Sequence, residues 1–453
     1  MQSSEDMSNV AKPASMRYGF TAIDAVPSSL TTRRFDANNG NVFTPSGASE
    51  IRIPVSSDGF LDVKKHYLEF SIQNTTVTAN NTLTLDGDSA CIIDELRIES
   101  EGVEIERISR YNLLSVQKMA NDSTKNDIMK RSAQTGGGVA SSPAVAAGGA
   151  TAARVDSPFT SAGRSIAKDA SSKFVLPLNL SGFLNNRFGK ALPMGMNEFT
   201  IIIRLQSAAV AYKSAGAAPD YSVSNPVLFC PTYKIEDMAV LQQYKSLMME
   251  RGVNFLGNTY KTYINAVTAG ASTQRAYQIN DRSTSVLAFI NVIRETAVAV
   301  AASDLSLSAS SWLGVDNYRH NIAGVNYPPD LINVSTATDG LNIGRVYNEM
   351  VKSYAEPGFV YSNSLINEAR SVNTSAQGKS DGEKAACVSL CIDLKRFDDR
   401  SLALIGLNTA ANASPNTLEL STLGTMLASD LTTFALVEAE FSISPQGRIA
   451  TAM

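Results

Sequence analysis

The sequence predicts an all-β protein made of two tandem β-sandwiches with short helical insertions and long loops. Three observations carry this expectation. Short apolar runs bounded by Gly, Pro and Asn recur at intervals along all 453 residues. The chain is too long for one ordinary hydrophobic core. Weak internal echoes appear in the same order in both halves: Tyr111-Asn112 and Tyr347-Asn348 each open a helix-period stretch, Leu178-Asn179-Leu180 before Phe183 matches Ile392-Asp393-Leu394 before Phe397, and Gly195-Met196-Asn197 matches Gly406-Leu407-Asn408.

Residues 1–45 are polar and hold Pro13, Pro27, Pro45 and the pair Arg33-Arg34, so an extended N-terminal arm with little core of its own is expected there. Ile51–Val55 alternates as a strand. Phe60–Ile72 (FLDVKKHYLEFSI) carries apolar anchors at Tyr67, Phe70 and Ile72. Cys91–Ile98 and Val103–Ile105 form a strand pair around Glu101-Gly102, a two-residue hairpin signal. The acidic series Glu95, Glu99, Glu101, Glu104 and Glu106 is expected to line the wet face of that pair. Ser109–Met119 changes to a helical period through Tyr111, Leu114 and Met119. Residues 133–157 begin as a low-complexity Gly, Ala and Ser tract and are expected to form a flexible loop. Phe174–Leu180 and Phe199–Leu205 are strands, the second almost continuously β-branched and apolar.

Small and polar residues over 211–226 suggest a linker between a first unit at 46–210 and a second at 227–453. Beyond it, strands are expected at Val227–Phe229, Tyr233–Val240, Thr259–Val267, Arg275–Ile279, Ser285–Ile293, Val388–Leu394, Leu402–Leu407 and Phe434–Ile443. The closing segment GRIATAM pairs back through a turn at Pro445-Gln446-Gly447. Helical turns fit Leu241–Met249 and Val346–Tyr354. Residues 295–330, which hold the only tryptophan, Trp312, read as a long outer loop, and so do Glu356–Glu383. Eight strands per half would make two jelly rolls in tandem.

The totals exclude several functions. Charged residues are 18% and the formal net charge is −4, which gives no overall electrostatic case for coating nucleic acid, and sequence-specific binding to it is not expected. No run of about 18 uncharged apolar residues is present, so no transmembrane segment is expected. The N-terminus lacks a basic-then-apolar leader pattern, which favours folding in a reduced environment inside a cell. Cys91, Cys230, Cys387 and Cys391 are too sparse for a disulfide framework and, with two histidines in the chain, too poorly accompanied for zinc. Gly136-Gly137-Gly138 lacks the lysine and helix of a phosphate loop. His66 and His320 are expected to be structural rather than members of a triad. Asp393, Asp398 and Asp399 beside Lys395 and Arg396 are expected to be solvated or paired among themselves. No catalytic, cofactor-binding or metal-binding residue, and no cofactor, is assigned.

One further feature narrows the reading. Phe60–Ile72, CIIDELRIESEGVEIERISRYNLL (Cys91–Leu114), FVLPLNLSGFLNN and LPMGMNEFTIIIRL (within Phe174–Leu205) and CIDLKRF through TLEL (Cys391–Leu420) together resemble the double jelly-roll major capsid proteins of double-stranded DNA viruses, in the polinton-like virus, virophage and adintovirus-type group. The resemblance implies a homotrimeric, pseudo-hexagonal capsomer that tiles an icosahedral virion shell and meets penton and minor capsid proteins. A viral spike or minor shell protein of β type is one alternative. A carbohydrate-binding or carbohydrate-cleaving double sandwich is another, though it would need clustered aromatics and paired carboxylates.

Overall fold

The computed structural model describes residues 28–77, 82–122, 130, 132–136, 165–187, 189–193, 196–214, 219–271, 274–296, 307, 315–334, 344–354, 389–396, 404–412, 414–422, 425–426 and 428–453. The first sandwich has eight long strands: β1 (Ser28–Asp36), β2 (Glu50–Val55), β3 (Tyr67–Asn74), β4 (Ile93–Ser100), β5 (Val103–Ser109), β6 (Ser171–Leu176), β7 (Phe199–Leu205) and β8 (Tyr221–Ile235). One sheet has the order β1-β8-β3-β6 and the other β2-β7-β4-β5. The second sandwich repeats the plan with β9 (Val253–Val267), β10 (Gln274–Ile279), β11 (Val286–Glu295), β12 (Val315–Ile322), β13 (Val325–Asn333), β14 (Leu390–Asp393), β15 (Asn416–Thr422) and β16 (Ser429–Ile443). Its sheets run β9-β16-β11-β14 and β10-β15-β12-β13. In each unit the first strand pairs with the eighth, the eighth with the third and the third with the sixth. All these pairings are antiparallel. That is the jelly-roll order, present twice.

Local chemistry explains each element. β7 pairs on both sides, and Ile201, Ile202 and Ile203 are all buried, so its sequence is continuous rather than alternating. β16 is buried on nearly every residue because one face lines its own sandwich and the other lies against the first unit. Both fourth-to-fifth strand hairpins use a two-residue turn with left-handed backbone at each position. Glu101-Gly102 has φ of 50° and 78°, and Ala323-Gly324 has 55° and 82°. In both units the fifth strand leads toward a helix, α1 (Tyr111–Asp122) in the first and α3 (Gly344–Tyr354) in the second; between them lies α2 (Met238–Arg251). α1 and α3 pack together. A last strand, β17 (Ile449–Ala452), pairs with β16 through the expected turn.

Several expectations are corrected. The arm expected over 1–45 contains β1, which pairs along its whole length with residues 227–235 of β8, and both Phe35 and Phe43 are buried. The expected linker at 211–226 runs into β8 from Tyr221 onward, and the expected start of a second unit at 227 lies within β8, which closes the first sandwich. Residues 297–306 and 308–314 of the loop expected over 295–330 lie outside the described residues, but its end is the hairpin β12–β13. Of the strand expected at Leu402–Leu407, the described part makes one isolated bridge, Leu407 to Val286. Cys91 sits in a single 3-10 turn, Ser89–Ile92, not in a strand. The flexible loop expected at 133–157 lies outside the described residues beyond 136, and Glu356–Glu383 lies wholly outside them.

Candidate functional site: the junction between the two sandwiches

Strand β5 of the first sandwich lies beside strand β9 of the second without sharing a sheet. The contact is made by side chains and by the segments that follow β6 and β14. At its centre is Glu106, which is 2% exposed. It accepts hydrogen bonds from the hydroxyls of Ser181 and Thr259 and from the amides of Gly182 (2.7 Å) and Phe183 (3.3 Å). Ser181 through Phe183 belong to the first unit and Thr259 to the second, so one carboxylate ties both. Burial pushes the Glu106 carboxyl above its usual range, while these four donors pull it back.

A second carboxylate mirrors the first. Glu438 on β16 accepts from Ser285 Oγ (2.5 Å) and from the amides of Ile405 (2.8 Å) and Gly406 (3.3 Å). Its other oxygen takes a 2.8 Å bond from Arg187 of the first unit. In each unit, then, the segment between the sixth and seventh strands offers amides that include a glycine's to a buried glutamate. The glycines are required by space. A Cβ on Gly182 would lie 2.7 Å from the Asn258 carbonyl, and one on Gly406 would lie 2.6 Å from the Val286 carbonyl.

Apolar and ionic contacts finish the weld. Phe183 sits 5.2 Å from Phe199, 5.8 Å from Phe255 and 5.5 Å from Phe441, centroid to centroid. Arg110, at the end of β5, reaches Thr432 (2.7 Å) and Asp430 (3.2 Å) on β16. Thr262 bonds the Ser109 carbonyl and Thr451 the Ile105 carbonyl. Beside the weld lies a cleft of about 240 Å³ lined by residues of both units, among them Lys64, Arg187, Asn258 and Glu438.

The residues weighed for catalysis lie elsewhere. His66 is buried. Its Nδ1 donates to the Val63 carbonyl and its Nε2 accepts the Leu178 amide at 3.0 Å, so both ring nitrogens are engaged with the backbone. His320, expected in a loop, is buried on β12. Asn291 donates to its Nε2 at 2.9 Å, and its ring stacks 5.9 Å from Phe289. Burial lowers the two pKa values, to about 4 for His66 and about 3 for His320. Asp393 pairs with Lys395 at 3.5 Å, while Asp398 and Asp399 lie outside the described residues. The free thiols of Cys91, Cys230 and Cys391 are buried, and burial raises that of Cys230 to about 12. Cys387 lies outside the described residues.

The acidic series divides. Glu106 is fully enclosed, against the expectation of a wet face. Glu95 is buried too, and it takes two bonds from Arg107 and one from Ser109. Sequence reasoning missed Glu106, Glu438 and Arg187 because their partners come from residues 75, 153 and 251 positions away. The one available signal was Glu106 standing next in line to the buried Ile105.

No family model and no curated protein matches the chain. Solved structures do. The Faustovirus major capsid protein is 8% identical, with 98% of this chain and 94% of that one covered and a TM-score of 0.58. A chain of the PBCV-1 virus capsid is 12% identical, covering 97% and 99%, also at 0.58. The mavirus major capsid protein is 10% identical, covering 98% and 93%, at 0.50. The strand order repeated in both units and these matches along nearly the whole length agree: the fold of this chain is the double jelly roll found in viral major capsid proteins.

Proposed function

We propose that the protein is a major capsid protein, a non-enzymatic building block whose homotrimers form pseudo-hexagonal capsomers of an icosahedral virion. One observation carries the reading: two sandwiches of identical strand order are held in one fixed relation by the Glu106, Glu438 and Phe183 contacts. A hinge would leave the two walls free to rock, and a tile needs them rigid. Three such chains present six equivalent sandwiches in a ring, and six-cornered tiles cover a surface. Neighbouring capsomers, penton and minor capsid proteins are the partners this role requires. Among the described residues no helix is long and apolar enough to cross a membrane, and no group of three potential metal-ligating side chains gathers.

Light scattering on the purified full chain tests the proposal. The expected species has three times the 48.3 kDa chain mass, with a six-cornered outline in electron micrographs. A monomer at every concentration, or turnover of a glycan, would overturn it.

A further inference from the structure

The cleft beside the weld is strongly one-sided in charge. It holds about 240 Å³ and takes its walls from both units. Four cations line it from four separate places: Lys64 on the 3-10 turn before β3, Lys118 on α1, Arg187 after β6 and Lys395 after β14. Glu438 is the one carboxylate among the lining residues. Its oxygens are taken by Ser285, by the amides of Ile405 and Gly406, and by Arg187. Asp393 does not line the cleft but lies 3.5 Å from Lys395. With Asp393 counted, positive charge still exceeds negative by two, in a chain whose formal net charge is −4.

Two of the lysines show how this charge is held. Lys65 pairs with Asp62 at 2.9 Å, whereas Lys64 beside it has no carboxylate within ion-pair distance among the described residues. The Lys64 chain runs along Gly189, whose φ is 61°; a Cβ there would lie 3.3 Å from Lys64 Cδ and 3.7 Å from its Nζ. Lys395 is more enclosed. Its side chain is 6% exposed, and its ammonium donates to the Lys352 carbonyl at 2.7 Å. Beneath these charges, Tyr260, Leu287, Ile405 and Leu436 form a buried and largely apolar floor. Charge over such a floor is screened less by water and salt than charge on an open face. Asn179 and Asn258 line the same space with amide groups able to donate.

We infer that the cleft binds a small anion carrying several phosphate groups, an oligophosphate chain held by cations of both sandwiches. Lysine ammonium groups bind phosphate as point charges and do not need the planar geometry that arginine imposes. A single phosphate engages only part of a set of cations brought from four elements, whereas a chain of phosphates reaches across it. The space is smaller than the roughly 300 Å³ at which sites for drug-sized ligands begin, so it suits a compact chain and not a nucleic-acid strand. Bound there, the anion adds a second clamp between the two units. The inference goes beyond the capsomer reading and is independent of it, because every lining residue belongs to one chain.

Titration calorimetry and thermal melting of the purified full chain test this with sodium tripolyphosphate as the probe. Binding at one site per chain is expected, with an affinity that falls as salt is raised and a Tm that climbs with probe concentration. Lys64→Glu should weaken binding at least about tenfold and remove most of the Tm rise. Lys64 is exposed, so the Tm of that variant without probe should match the unaltered chain. Lys245→Glu makes the same charge change on the exposed face of α2 and should leave the affinity unchanged. Adenosine triphosphate as a second probe separates the sources of such a chain: equal affinity assigns the phosphate tail of a nucleotide, and much weaker affinity assigns inorganic oligophosphate. Neither heat nor a Tm rise with either probe would overturn the site. So would binding that survives Lys64→Glu, or that Lys245→Glu weakens equally. All of these outcomes leave the capsomer reading standing.

Discussion

Residues in this protein matter by what they are denied. His66 and His320 sit where a second proton has no place, since Leu178 and Asn291 donate to the nitrogens that would take it. Their folded pKa values, about 4 and about 3, lie below the ordinary value of 6.5. The unfolded chain therefore binds protons that the fold refuses. The stability involved is complete above pH 6.5 and drains away as pH falls toward 4. The loss is on the order of 3 kcal/mol for His66. Denaturant unfolding at pH 7 and pH 4.5 should show it, and His66→Gln should flatten the pH profile. Glu106 matters through its donors rather than through a refused proton. Glu106→Ala leaves two amides and two hydroxyls without their acceptor, and a loss of at least roughly 3 kcal/mol is expected in the same assay.

At the scale of elements, backbone meets backbone at the junction. A Cβ at Gly257 would land on the Gly182 carbonyl and 2.9 Å from the Phe441 ring. Gly257→Ala should therefore push β9 off the first sandwich and cost at least roughly 2 kcal/mol, visible as a lower Tm. Such glycines do not declare themselves in sequence. Gly257 lies inside a strand pattern, and only the approach of a distant segment explains it. Strands with one wet face, such as β2 and β10, were legible because alternation records a single neighbour. β1 was not, since its exposed residues include Leu30, Thr32 and Arg34, and its polar outer face reads as a tail. Nor was the β12–β13 hairpin, where Pro328 and Pro329 interrupt the pattern and bulge out of the ladder.

At the scale of the whole molecule, one cluster of buried side chains runs from Phe35 in the first sandwich through Phe183 to Phe255 and Phe441 in the second. The two units should melt together, and calorimetry should give one endotherm. Phe183→Ala, which opens a cavity in that cluster, should destabilise the chain by roughly 3–5 kcal/mol. Two separate endotherms in the unaltered protein would show that the junction is not a weld.

The sequence by itself determined that the chain is β, that it is built twice and that its helices interrupt equivalent places, because periodicity and turn chemistry are local. It also pointed to a shell-building role by resemblance. Tertiary structure alone decided where the first unit ends, that Glu106 and Glu438 are the joints, and which faces stay bare. Those outcomes depend on groups brought together from far apart in the chain, and no local pattern of side chains encodes a partner that arrives only on folding.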